Sequence, residues 1–384
     1  MREIRAIDSI MLVSSDDRAF LTHRQPMAKA AYKVSKRFYV VCQDTGLIDK
    51  IRDLNYEVIP LKKRANQLSL FSILQTIKEL VHIYRRIRPE IIHHSSLYVS
   101  FLGSIASLFV KGPKIITAIT GVGYLFSSSS TKAVLARLVL TPLLRSLWLS
   151  SNHTTLFQNK DDQELFAQKR LSGSRAFIIP GSGVDIKKFR PTHRKYKNKR
   201  ERFTIGCASR LLRDKGLEEL IKAISLLPEG MNVELTIAGA IDLKNPSSFT
   251  PEKVKRWEKN SRINLLGQVT NMVDFWHRCD IAILPSHREG LPKSLLEAAA
   301  CGLPLIGADV AGTRELINNG VNGRLFKMGQ VDDITECIIA LVENKLFIKK
   351  AGLASRRKIE TEGFSDKAVG LAYQNFLLSI QNRA

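Results

Sequence analysis

What most constrains this chain is a rhythm that runs twice: short β-branched runs alternate with longer helical stretches, and one basic, polar segment interrupts them. In the first half the runs are Ser9–Val13, Phe38–Cys42, Glu57–Ile59, Ile91–His94, Lys114–Thr117, Thr154–Phe157 and Phe177–Ile179, with helical stretches such as Pro26–Lys36 and Leu68–Ile87 between them. β-branched residues suit a pleated, buried strand. Their alternation with helices predicts parallel β-α-β units, which bind ligands outside the carboxyl ends of the strands. After the basic segment Thr192–Arg202 the rhythm restarts. Strands are expected at Phe203–Ala208, Val233–Ala238, Ile263–Leu266, Ile281–Leu284 and Pro304–Gly307. Helices are expected at Leu217–Leu227, Val273–His277, Lys293–Cys301, Gly312–Ile317 and Asp332–Glu343. The predicted architecture is α/β, with two Rossmann-like, doubly wound parallel-sheet domains (residues 1–190 and 200–365) facing a cleft. A last amphipathic helix within residues 366–384 is expected to pack back on the first domain. The 384 residues suit two ordinary domains better than one.

Charge narrows the partners. The chain carries 59 basic and 36 acidic residues, a net +23, and residues 1–190 hold +15 of it. No acidic residue occurs between Glu90 and Asp161. Such a field favours nucleic acid, an anionic bilayer or a phosphorylated substrate. Nucleic acid is the weakest of the three, because no helix-turn-helix, zinc-finger or RNA-binding signature accompanies the charge. A nicotinamide enzyme is disfavoured too, since no GxGxxG follows the first strand of either half. The five cysteines are scattered with no CxxC pair, which predicts reduced structural thiols and a cytoplasmic protein. The charged stretch Met1–Asp8 does not read as a signal peptide. Residues 91–110 and 133–149 are apolar but broken by polar or basic residues, so neither is a clean span. Peripheral attachment to the inner face of the cytoplasmic membrane is expected instead.

The chemistry concentrates in two loops of the second half. The segment Ser286–Glu297 follows the apolar strand Ile281–Leu284 and opens a helix. Gly290 allows a ligand close to the backbone, and Pro292 suits a first helical position. Backbone N–H groups of Gly290, Leu291 and Lys293 and the helix dipole then favour an anion such as a diphosphate. Glu289 precedes the helix and Glu297 lies about two turns along it, so two carboxylates can bind hydroxyls at opposite ends of one ligand. In the loop after Phe203–Ala208, Arg210 and Lys215 are cations able to reach the same diphosphate.

These residues resemble retaining glycosyltransferase family 4. The resemblance rests on Glu289, Gly290, Pro292, Glu297-Ala298, Gly302 and Pro304, on Arg210 with Lys215-Gly216, on Gly183-Val184-Asp185 with Phe189, and on Glu315-Leu316-Ile317 with Gly320-Val321-Asn322-Gly323. It implies the GT-B fold. It implies that Arg210 and Lys215 act on the donor diphosphate and that Glu289 holds the sugar being moved. The backbone from Gly290 through Leu291, Pro292 and Lys293 would bind phosphate, Glu297 the ribose hydroxyls, and the backbone at Val269 the base. Thr120 and Gly121 fall where the family commonly places His-Gly against the donor sugar. The run Phe20–Met27 is similar to the polysaccharide-assembly branch, and His23, His93 and His94 are cleft candidates for the acceptor.

The resemblance further implies a retaining hexosyl or N-acetylhexosaminyl transfer from a nucleotide sugar, UDP-linked by preference. The acceptor would be a saccharide on undecaprenyl diphosphate in bacterial surface polysaccharide synthesis. No cofactor and no metal are expected: the sequence has no DxD, and cationic side chains can stabilise the leaving diphosphate. Lys111, Lys114, Lys132, Arg137 and Arg145 are expected to meet anionic lipid head groups. The rival readings are a nucleotide-sugar epimerase of the same fold and, outside enzymes, a basic nucleic-acid-binding protein.

Overall fold

The computed structural model describes residues 7–62, 70–121, 131–150, 152–172, 175–192, 202–243 and 245–381, with backbone alone for residues 70 and 131–139. The Ser127–Ser130 tract, most of Thr192–Arg202 and residues 122–126 therefore lie outside the described residues.

The chain divides into two units. One comprises the residues up to Ser182 together with those from Lys367 onward, and the other is Gly183–Asp366. The change at Ser182 moves residues 183–190 into the second unit, eight residues earlier than the sequence placed it.

The first unit holds seven strands: β1 (Ile7–Asp16), β2 (Ser35–Gln43), β3 (Glu57–Leu61), β4 (Ile91–Ser95), β5 (Lys114–Ile119), β6 (His153–Phe157) and β7 (Ala176–Ile178). All pair in parallel, in the order β3-β2-β1-β4-β5-β6-β7. Both faces are covered. Ile10 and Leu12 of β1 enter one apolar cluster, while Met11 and Val13 enter another on the opposite side. That is why β1 reads as a nearly continuous apolar run rather than an alternating one. The helix Asp366–Gln381 belongs to this unit. Its Val369, Tyr373, Phe376, Leu377 and Ile380 are buried with Leu12 and Ile91. Lys114 fastens its end, donating to the carbonyls of Ile380 and Gln381 at 2.7 and 3.0 Å.

The second unit holds β8 (Phe203–Ala208), β9 (Val233–Ala238), β10 (Ile263–Leu265), β11 (Ile281–Leu284), β12 (Leu305–Ala308) and β13 (Gly323–Phe326). They too are parallel, in the order β10-β9-β8-β11-β12-β13. Strand β13 was not expected from the sequence. It is four residues long and includes the charged Arg324, so no apolar run announces it. In each sheet the chain order reverses beside the first strand, between β1 and β4 and between β8 and β11. Open α/β sheets bind ligands at such switch points.

Candidate functional site

The second unit's switch point gathers three loops. The loop after β8 runs to Gly216, which takes φ +66°. A Cβ there would run into the Pro285 carbonyl oxygen at the end of β11. Glycine thus lets the first loop lie against the second. The His287 N–H also donates to the Asp214 carbonyl at 3.0 Å, and His287 Nε2 meets Glu219 at 3.0 Å. The loop after β12 closes the third side. Gly312 has φ +61°, and a Cβ on it would strike the carbonyl oxygen of Gly290.

This stacking brings Lys215 Nζ to 2.7 Å from Glu289 Oε1, with side chains only 14% and 18% exposed. Such shielding removes the pair from the class of exposed ion pairs worth roughly 0.2–1 kcal/mol. Two residues 74 positions apart therefore form one charged unit at the carboxyl ends of β8 and β11. Arg210, on the same loop as Lys215, is exposed.

The helix after β11 spans Lys293–Ala300, with Pro292 as its N-cap residue and no side chain capping it. Pro292 thus stands one position before the expected first helical place. Its missing N–H still costs nothing there. The first turn of a helix directs N–H groups outward without intrahelical acceptors, and Gly290, Leu291 and Pro292 are buried at this start.

Glu297 is 8% exposed. Burial pushes its carboxyl above the usual carboxylate range, opposed by the Lys293 ammonium and by the Trp276 indole, whose Nε1 donates to Oε2 at 3.4 Å. Burial likewise holds the Lys293 ammonium below its ordinary value, against the pull of Glu297. Val269 follows β10 and is half-buried against the apolar cluster that holds Trp276 and Leu296.

Several contributors were invisible in the sequence. Trp276 orients Glu297 from another helix. Ser286 Oγ and Thr313 Oγ1 are buried hydroxyls without a hydrogen-bond partner, on the second and third loops. Ser286 opens the quoted segment, but only the fold shows that its hydroxyl is buried.

The first-unit candidates separate. Thr120 and Gly121 follow β5 directly and are half-buried. His23 ends the helix Asp17–His23 and is exposed. His94 is a core residue rather than a cleft residue. Its Nε2 bonds the buried Tyr84 hydroxyl at 2.8 Å, and its ring fills the space where Gly103 has no Cβ. His93 lies on the opposite face, buried, with Nδ1 hydrogen-bonded to the Tyr373 hydroxyl. Burial and then the nearby Arg24 cation press its pKa down to about 3, so the ring is neutral. Among the described residues, no group of three or more His, Cys, Asp or Glu side chains is placed to hold a metal ion, and no helix is long and apolar enough to cross a membrane.

Two parallel sheets with a charged pair and an uncapped helix start at one switch point describe a GT-B glycosyltransferase. Residues 188–362 match the family model "Glycosyl transferases group 1" and residues 9–153 match "Glycosyl transferase 4-like". The chain belongs to this family of glycosyltransferases. It is similar to the N,N'-diacetylbacillosaminyl-diphospho-undecaprenol alpha-1,3-N-acetylgalactosaminyltransferase of Campylobacter jejuni, 26% identical over 84% of this chain and 86% of that one. It is also similar to the UDP-Gal:alpha-D-GlcNAc-diphosphoundecaprenol alpha-1,3-galactosyltransferase of Escherichia coli, 23% identical over 80% of each chain. Its fold is shared by the sucrose-phosphate synthase of Thermosynechococcus elongatus, with a TM-score of 0.81 at 15% identity over 98% of this chain and 100% of that one.

Proposed function

We propose that this glycosyltransferase moves a hexose or N-acetylhexosamine from a UDP-sugar to a saccharide carried on undecaprenyl diphosphate, retaining the anomeric configuration, in surface polysaccharide synthesis. The observation that carries the reading is the Lys215–Glu289 contact at the β8/β11 switch point. It sets a cation for phosphate beside a carboxylate for sugar hydroxyls, as a ligand needs whose reacting bond joins those two parts. The names of the two relatives support the acceptor class, and one of them the UDP donor. Their alpha linkages support retention.

In this mechanism the uridine ribose bonds Glu297 and the base lies along the backbone at Val269. The diphosphate rests on the helix start at Lys293, with Arg210 and Lys215 against its oxygens. As the anomeric C–O bond breaks, these groups take up the charge that develops on the leaving diphosphate, a contribution that commonly dominates such reactions. Glu289 holds the sugar hydroxyls and stands near the positive charge that grows on the ring. The acceptor hydroxyl then attacks the face the diphosphate leaves and gives its proton to a leaving phosphate oxygen. No metal ion enters this scheme, because side-chain cations supply the compensating charge.

The protein works at the inner face of the cytoplasmic membrane in this reading. Lys111 is exposed near Leu108 and Phe109, which are 66% and 55% exposed. Lys114 leaves the expected docking set, since it fastens the helix Asp366–Gln381; Arg145 is exposed and donates to the Lys169 carbonyl at 2.8 and 3.1 Å. For Lys132 and Arg137 only backbone is described.

The test is a donor screen across UDP-, GDP- and ADP-sugars with a diphospholipid-linked saccharide acceptor, using Glu289→Ala as control. Transfer from a UDP-sugar that collapses in the variant is the expected result. Turnover untouched by Glu289→Ala, or donor conversion that needs no acceptor, sinks the reading.

A further inference from the structure

The first unit carries its own unexplained polar cluster, at the equivalent switch point. In the β1/β4 register Leu12 faces His93 and Ser14 faces Ser95. Residues two apart on a strand share a face. His93, Ser14 and Ser95 therefore line one side of the sheet, the side occupied by Leu12 and by Tyr373 of the helix Asp366–Gln381. All three are at most 2% exposed, and Ser14 Oγ, Ser95 Oγ and His93 Nε2 have no hydrogen-bond partner.

Arg24 adds the charge. It is the N-cap residue of the helix Gln25–Val34, whose Met27 and Ala28 enter the same apolar cluster, and no side chain caps that helix. Arg24 is only 7% exposed. Burial holds its pKa down to about 10, a shift that the nearby Tyr373 opposes. Among the described residues it makes no ion pair and no side-chain hydrogen bond. A buried cation without a counter-charge is costly, and proteins keep such groups paired. Here no such partner stands among the described residues, and Ser14 Oγ, Ser95 Oγ and His93 Nε2 lack partners as well. Assigning the Tyr373 hydroxyl as donor to His93 Nδ1 places the neutral ring's single proton on Nε2, a donor like the two serine hydroxyls.

We infer that Arg24, His93, Ser14 and Ser95 form a phosphoryl-binding subsite of the first unit, on the side of the sheet that meets the helix Asp366–Gln381. Every group in it donates a hydrogen bond, and one is a planar guanidinium matched to two phosphate oxygens. The phosphoryl group comes from the diphosphate of the lipid-linked acceptor or from that of the donor. The first source rests on the function proposed above; the site itself does not.

The full-length protein and its Arg24→Met variant are titrated with inorganic pyrophosphate and followed by thermal unfolding. Without pyrophosphate the variant is expected to melt at or above the wild-type temperature, because it loses an uncompensated buried charge. A purely structural arginine gives the opposite sign. With pyrophosphate the wild type gains the larger upward shift. The diphosphate site of the second unit is common to both proteins, so the difference reports Arg24. Equal shifts overturn the subsite.

Steady-state kinetics with Arg24→Lys and Ser95→Ala give a second reading that does not depend on Arg24→Met folding. A KM for the diphospholipid acceptor raised at least tenfold, with kcat and donor KM unchanged, assigns the phosphoryl group to the acceptor. A rise confined to the donor KM assigns it to the donor. No change in either KM overturns the site. If no lipid-linked acceptor receives sugar while pyrophosphate still separates wild type from Arg24→Met, the subsite stands and the proposed acceptor falls.

Discussion

The two switch points have the same strand topology and opposite electrostatics. At β8/β11 the charges are balanced inside the protein: Lys215 meets Glu289 at 2.7 Å, and Lys293 opposes the charge of buried Glu297. At β1/β4 a buried Arg24 has no carboxylate partner among the described residues, and its imidazole neighbour is held neutral. A self-compensated site can exchange an internal ion pair for contacts to a ligand that is part anion and part hydroxyl. An uncompensated one is completed only by an anion. Topology decides where a ligand sits in such sheets. The side chains at the strand ends decide what it is.

The hardest blow to this contrast is Lys215→Ala. It removes a cation from the leaving group and strands Glu289, so kcat should fall about 10²–10³-fold, measured as sugar transfer at saturating donor and acceptor. Arg24→Met should leave kcat near wild type in the same assay. A comparable fall in both variants would erase the distinction between the two sites.

Next comes Gly312→Ala. It places a Cβ against the Gly290 carbonyl at a positive φ, which should lower unfolding stability by at least about 2 kcal/mol. Urea unfolding measures it. A stability unchanged within error shows that the third loop does not clamp the second.

Glu297→Gln sharpens the comparison through pH. Because burial raises the folded carboxyl's pKa, the native state holds its proton to higher pH than the unfolded chain does. Glu297 therefore lowers stability as pH rises past the ordinary carboxylate range. The variant should melt higher than wild type at pH 7, and the gap should close on acidification below that range. Its donor KM should rise about tenfold, the loss of a hydrogen bond to a charged group.

The smallest effect belongs to the His94 pocket. Tyr84→Phe leaves His94 Nε2 without its partner and should cost about 1 kcal/mol while leaving transfer unchanged. A loss of activity would return His94 to the functional set.

The parallel β-α-β alternation and the second-unit loops were legible because their signals are local. Ile281–Leu284 followed by Glu289, Gly290 and Pro292 announces a strand, a tight turn and a helix start within one segment. The contact between Lys215 and Glu289 was not legible as such. It depends on Gly216 lying against Pro285, a packing relation between distant segments. His93 and His94 were indistinguishable as neighbours in sequence, yet one residue of pleat sends them to opposite faces of the sheet. Arg24 escaped notice for a related reason. A lone arginine reads as a solvated surface residue, and the lack of a partner is a property only the folded chain can display.

The helix Asp366–Gln381 also bears on how the protein is made. Domains generally fold in the order in which they are synthesised, but the first unit cannot follow that order. Its core lacks Val369, Phe376 and Leu377, and His93 lacks Tyr373, until those residues have emerged. The second unit, contiguous from Gly183 to Asp366, can finish first. A nascent chain thus owns a complete second sheet while the first still exposes part of its apolar surface. A stop codon near residue 366 would leave the second unit whole and the first one permanently unfinished.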